Sequence, residues 1–173
     1  EAFNDRVESN FQNLWNEKLE EKEIDIDIES LSNTIYFARL ATMAQGLLFI
    51  EHISSIENLE IDLKEVLQNW SAGCIIRSDL LKELGDLNLS NALTSSEFVH
   101  NTLLENLESI KKVIKTCVDG SVSIPVITSS YNWFVGTTNS FNPSSLIQAQ
   151  RDYFGAHQVQ LNNSDEFIHL DWD

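Results

Sequence analysis

Hydrophobic positions recur along this chain at spacings of three and four residues, the period of helices whose apolar side turns inward. Phe3, Val7, Phe11 and Leu14 open the pattern over residues 2–22, with Trp15 and Leu19 adjoining and an acidic far side. Residues 23–30 alternate apolar and acidic positions as an exposed strand would, but no matching strand lies nearby, so a linker is expected. From Ser30 to about Ser55 apolar residues run round nearly every side, from Leu31 through Phe37, Leu40, Met43 and Leu47 to Ile53, which predicts a buried central helix. Gly46 inside it lowers helix propensity and suggests close approach by another helix, while Gln45 and His52 read as satisfied interior or rim polar groups.

Shorter helices follow. Asp62 and Glu65 form a capping box ahead of Leu63, Val66, Leu67 and Trp70. The next helix is expected from about Ala72 to Leu84, stopped by Gly85, with Arg77 in its middle. A second capping box, Thr94 with Glu97, starts a helix carrying Val99, Leu103, Leu107, Ile110, Ile114 and Cys117, which Gly120 ends. Lys111, Lys112 and Lys115 crowd its last turns, where a helix C-terminus favours cations, and read as dipole-matched surface. Pro125 starts a further helix with Val126, Ile127, Tyr131, Phe134 and Val135. After a loop, Asn142 can cap and Pro143 can begin a helix through Leu146 that Gly155 ends. The tail alternates Val159 and Leu161 before a polar turn at Asn162 to Asp165, so a hairpin or extended arm is expected, and its aromatic residues have reason to pack on a partner. The pattern predicts an all-α protein: a single helical domain over residues 1–157 and a tail over 158–173.

Composition narrows the class. At 173 residues and 42% hydrophobic the chain suffices for one core, and six Gly with two Pro are too few for an all-β design. Eleven Lys plus Arg against 27 Asp plus Glu leave a formal charge of −16, which argues against nucleic acid or an anionic membrane as partners. Any site for an anion must then be a local cluster of arginines, often completed by another chain, while most of the acid is solvated surface. With no basic-then-apolar leader and no run of about 18 apolar residues, a soluble cytoplasmic protein is expected. Cys74 and Cys117, far apart in apolar helical contexts, read as reduced core thiols. The histidines, His52, His100, His157 and His169, have no clustered spacing, so no metal is expected.

Candidate chemistry concentrates between Leu146 and His157. Arg151 falls in the last helical turn and His157 just beyond it. An arginine there offers a fork of donors to a phosphate or carboxylate, and a histidine can bind a hydroxyl or carry a proton. The plainer reading is that Arg151 complements the helix C-terminus and pairs with Asp152 or another carboxylate. Arg77, flanked by Cys74, Ile76 and the Leu80–Leu81 pair, must find a partner, because a buried unpaired charge is too costly. That partner is either an internal carboxylate or a bound anion.

Two strings carry a resemblance. Ile147-Gln148-Ala149-Gln150-Arg151-Asp152-Tyr153-Phe154-Gly155-Ala156-His157 resembles the C-terminal signature of decarboxylating 6-phosphogluconate dehydrogenases, and Gly73-Cys74-Ile75-Ile76-Arg77-Ser78 is similar to another segment of that family. Ser123-Ile124-Pro125 with Ser129-Ser130, Ala44-Gln45-Gly46, and Phe167-Ile168-His169 with Trp172 agree more loosely. The resemblance covers nearly all of this chain but only the C-terminal part of the family's protein. Ser71-Ala72 stands where the family usually has Arg-Gly, and Phe141 to Ser145 replaces its usual approach to the signature.

The resemblance implies an enzyme that passes hydride from C3 of 6-phosphogluconate to NADP, releases CO2 from the β-keto acid and protonates the enediol to ribulose 5-phosphate. It implies that Arg77 contacts the substrate phosphate from its own subunit. Arg151, also for phosphate, and His157, for a sugar hydroxyl, would reach into the neighbouring subunit of a homodimer. In the family the lysine base and glutamate acid stand on a helix preceding this region, and NADP sits in an N-terminal Rossmann domain. No catalytic residue, NADP site or metal is therefore expected in this chain, and no turnover from it alone. The alternative is a non-enzymatic helical dimerisation remnant of the same family.

Overall fold

A computed structural model describes residues 23–87, 96–139, 142–161 and 164–172. The helix expected over residues 2–22, and Thr94 of the second capping box, lie outside the described residues. Within them stand seven helices and one two-stranded sheet, the all-α class that the periodicity predicts. Chain contacts divide the molecule into two compact units, Glu1–Tyr131 and Asn132–Asp173.

The first unit is built on α1, Ile28–Ile56. The alternating stretch before it ends at Asp27, whose side chain accepts the Ser30 amide at 2.7 Å and caps the helix, so the linker is shorter than the alternation suggests. The Lys112 ammonium and the Ser30 donors hold the Asp27 carboxyl well below the usual carboxylate range. One face of α1 buries Thr34, Phe37, Ala38, Leu40, Ala41, Met43, Ala44 and Leu47. Among the described residues α2, α4 and α5 pack on α1, and Ser130 of the helix that begins at Pro125 reaches its Ala38 carbonyl, yet part of the helix stays open rather than buried on every side. Ile28 is 86% exposed and Phe49 65%, and Ile35 also lies open.

Gly46 corrects a second expectation: among the described residues no other helix comes close to it, and a Cβ added there would meet nothing within 4 Å. It lines an apolar groove of about 460 Å³ with Ile35, Met43, Trp70, Ile76 and Ile127. The space that glycine leaves is open along the uncovered stripe of α1.

α2, Leu63–Gly73, begins as expected on the Asp62 side chain, which accepts the Lys64 amide at 2.8 Å. The following helix does not start at Ala72. The chain is extended at Cys74, turns with the Arg77 amide on the Cys74 carbonyl at 3.1 Å, and resumes helix only at α3, Asp79–Asp86. Gly73 and the β-branched pair Ile75-Ile76 favour helix poorly, and Ser78 offers a restart. Gly85 lies inside α3 rather than stopping it, and Leu80, Leu81 and Leu84 are buried. Cys74, in the turn, is exposed, so it is no core thiol; Cys117 is buried, and both are free.

The long helix expected from Glu97 to Gly120 is two: α4, Glu97–Glu105, and α5, Leu107–Asp119. The apolar period continues across the break, with Val99, Leu103, Ile110, Val113 and Cys117 buried. Asn106 interrupts it by turning its side-chain amide onto the Thr102 carbonyl at 2.8 Å, the local competition with helix that asparagine favours. Ser96 caps α4, accepting from the Val99 amide at 3.5 Å. Lys111, Lys112 and Lys115 pair with Glu108, Asp27 and Asp119 on exposed surface, as the plain reading expects. Gly120 keeps an ordinary φ; the left-handed residue after α5 is Ser121. Finally α6, Pro125–Thr138, runs across the division between the units.

Candidate anion-binding site

The second unit holds α7, Ser144–Gly155, followed by β1, Val159–Gln160, and β2, Phe167–Ile168. The strands pair antiparallel, Val159 opposite Ile168 and Gln160 opposite Phe167, so of the hairpin or extended arm expected for the tail it is the hairpin that forms. At the start of α7 the Asn142 side chain accepts the Ser144 amide at 3.0 Å from one residue before the cap position, which Pro143 occupies in place of the expected Asn142.

The end of α7 differs from expectation in its geometry. Gly155 is still helical, and the left-handed residue that stops the helix is Ala156, at φ 49° and ψ 42°. What Gly155 supplies is room, since a Cβ there would lie 3.0 Å from the His157 ring. His157 itself is exposed, and Gln158 after it is again left-handed, at φ 64°.

Arg151 is exposed on the last turn, and its Nη1 donates to Gln148 Oε1 at 3.3 Å. It does not pair with Asp152, as the plainer reading had it, because Asp152 points the other way and is fully buried. Oδ1 of Asp152 accepts the Gln158 amide at 2.7 Å and lies 2.9 Å from His169 Nδ1. Oδ2 accepts the Leu170 amide at 2.9 Å and the Trp172 indole N–H at 3.1 Å. Burial alone would push this carboxyl up. The hydrogen bonds from His169, Leu170, Trp172 and Gln158 outweigh it and hold the group well below the usual carboxylate range. The tail is thus tied first to its own helix, with the Trp172 ring edge-on to Tyr153 at 5.6 Å, while Phe154 and Phe167 remain exposed.

Arg151 and His157 therefore stand together at one end of α7. Arg77 belongs to the first unit, exposed in the turn before α3 rather than wedged between apolar side chains, so it has no need of a buried partner. Its charge adds a little to the pull of Lys82 that lowers the Asp79 carboxyl. No ion pair joins Arg77 or Arg151 to a carboxylate among the described residues. Sequence reasoning missed Asp152 and Gln148. Their spacing of one helical turn was the available signal, but their partners lie in the tail and could not be read from α7 itself.

Among the described residues no group of three His, Cys, Asp or Glu is placed to hold a metal ion, and no helix is long and apolar enough to cross a membrane.

Comparison with known proteins matches residues 2–172 to the family described as 6-phosphogluconate dehydrogenase, C-terminal domain. Among similar proteins, the decarboxylating 6-phosphogluconate dehydrogenase of Lactococcus lactis subsp. lactis is 31% identical over 150 residues, which cover 84% of this chain and 32% of that protein. The enzyme of the same name from Synechococcus elongatus is 29% identical over 150 residues, with the same coverage. That of Rattus norvegicus is 30% identical over 151 residues, covering 84% of this chain and 31% of its own length. The chain spans about a third of the length of these relatives. A match to that domain over nearly every residue, together with an all-α fold ending in a hairpin, means that this chain belongs to the 6-phosphogluconate dehydrogenase family, as its C-terminal domain.

Proposed function

We propose that this chain is the substrate-binding and dimer-forming part of an enzyme that oxidatively decarboxylates 6-phosphogluconate to ribulose 5-phosphate in the pentose phosphate pathway of the cytoplasm. Arg77 of one subunit takes the substrate phosphate. Arg151 and His157 of its neighbour take the phosphate and a sugar hydroxyl. The observation that carries this reading is the end of α7, where an exposed guanidinium and an exposed imidazole stand together in a protein of charge −16 without an ion pair to either arginine among the described residues. A guanidinium fork fits phosphate oxygens in pairs, which an ammonium cannot do.

The second copy covers the open stripe of α1, where Ile35 and Phe49 are exposed beside the apolar groove at Gly46. NADP supplies the hydride acceptor in the complete enzyme. The described residues do not fit it: both strands are two residues long and neither leads into a helix that could receive a pyrophosphate, so no step here runs through that cofactor.

A thermal-shift titration with phosphate and 6-phosphogluconate tests the reading, since a ligand that binds only the folded state raises the melting temperature. Arg151→Lys should weaken the response and Arg151→Ala should nearly abolish it. Equal responses from all three proteins would leave Arg151 as a helix-end residue and the site assignment wrong.

A further inference from the structure

We propose that Gln148 and Asp152 are positioning residues of this anion site, a clamp of two side chains that grips the backbone of Gln158 and so fixes His157 relative to Arg151. The inference rests on the reading of Arg151 and His157 as ligand-binding residues.

His157 sits between two left-handed residues that are not glycine, Ala156 and Gln158. Such conformations are unfavourable for residues with a Cβ and persist only where the surroundings over-determine them. Here the determinants all come from two positions of α7. The Asp152 carbonyl accepts the Ala156 amide at 2.8 Å, and the Asp152 carboxylate accepts the Gln158 amide at 2.7 Å. Gln148 Nε2 donates to the Gln158 carbonyl at 2.6 Å. Both peptide groups of Gln158 are therefore held, one by each side chain, as a neighbouring strand would hold them.

Gln148 does more than close the clamp. Its Oε1 receives Arg151 while its Nε2 holds the peptide after His157, so one amide links the two ligand-binding side chains. The orientation of that amide is set by charge. Turned over, its NH2 would face the guanidinium and its oxygen the Gln158 carbonyl, and both contacts would repel. Asp152 in turn shares its carboxylate with Leu170, Trp172 and His169, which makes the same buried group the anchor of the tail.

The experiment compares the wild-type chain with Gln148→Met and Asp152→Asn, and with Asp165→Asn as a control on the exposed turn. Circular dichroism and melting without ligand establish folding. Proton NMR of the His157 ring, assigned with His157→Gln, reports its position, and calorimetry reports 6-phosphogluconate and phosphate affinity. Gln148→Met should keep the fold and melting temperature, move the His157 resonance and weaken anion binding by about tenfold, the scale of one hydrogen bond lost. Asp152→Asn should also move the His157 resonance and weaken anion binding, but with a lower melting temperature at pH 7 and a red shift of tryptophan emission, because the same carboxylate anchors the tail. An unmoved His157 resonance in Gln148→Met, or a moved one with wild-type affinity, overturns the positioning role. A wild-type chain that binds neither anion overturns the functional reading instead, and the resonance then judges the clamp by itself.

Discussion

The indole N–H of Trp172 donates to the buried carboxylate of Asp152 at 3.1 Å, across twenty residues of chain. That bond places the last aromatic residue of the tail over the helix that carries Arg151, edge-on to Tyr153. A full set of donors explains how an acidic side chain can be fully buried here, since a buried carboxylate is tolerated when its oxygens are satisfied. One residue thus joins the helix end, the turn through His157 and the hairpin.

Acid should loosen this arrangement. The folded state favours the charged form of Asp152, so its contribution is complete above 3.8, the ordinary value of the group, and is lost as pH falls below that toward the lower folded value. The groups facing it are His169, the Trp172 indole and the amides of Leu170 and Gln158. Asp152→Asn should melt below wild type at pH 7, and the gap should narrow as the pH approaches about 2. Melting curves across that range check this; a gap that stays constant would mean that the charge of Asp152 contributes nothing.

The two thiols should separate by rate. Cys74 is exposed in the turn before α3, while Cys117 is 3% exposed on α5. A colorimetric disulfide reagent should titrate one thiol at once and the second only in denaturant, because a buried thiol reacts through opening of the structure around it. Two fast thiols would mean that α5 opens readily. No fast thiol would mean that something covers the Cys74 turn.

Helical period made α1 and α2 legible, because each buries a face that repeats in the sequence, while α6 and α7 were legible from the residues at their ends, Pro125, Asn142 and Gly155, since Asp152 is the one buried residue of α7. It failed at Cys74 and Asn106 for one reason: the apolar spacing passes across both breaks, and only local preferences, the Gly73-to-Ile76 run and the Asn106 side chain, interrupt the helix. Periodicity shows which faces of α1 are apolar but not which of them the described residues cover, so the exposed positions Ile35 and Phe49 could not be read from it. Arg151 and His157 were legible from residue type at a helix end. Asp152 was not, since its four donors are brought to it by tertiary structure, and an aspartate beside an arginine reads first as that arginine's partner.

Gly46 offers a test of assembly that leaves the fold intact. Its backbone is not left-handed and nothing lies within 4 Å of an added Cβ, so alanine fits without strain. Gly46→Ala should stabilise the isolated chain by about 1 kcal/mol, the helix propensity that glycine forfeits together with the greater freedom of its unfolded state. Gly46→Leu should keep the helix as well, because the side chain enters the groove beside Met43 and Trp70 rather than the buried face. If a second copy fills that groove, leucine removes its seat, and sedimentation at micromolar concentration should show the wild type as a dimer and Gly46→Leu as a monomer. Denaturant unfolding separates this from damage to the chain, since a monomer with an intact helix melts cooperatively while a misfolded one does not. A Gly46→Leu dimer as tight as wild type would place the partner on another surface. The exposed stripe of α1 would then need a different cover.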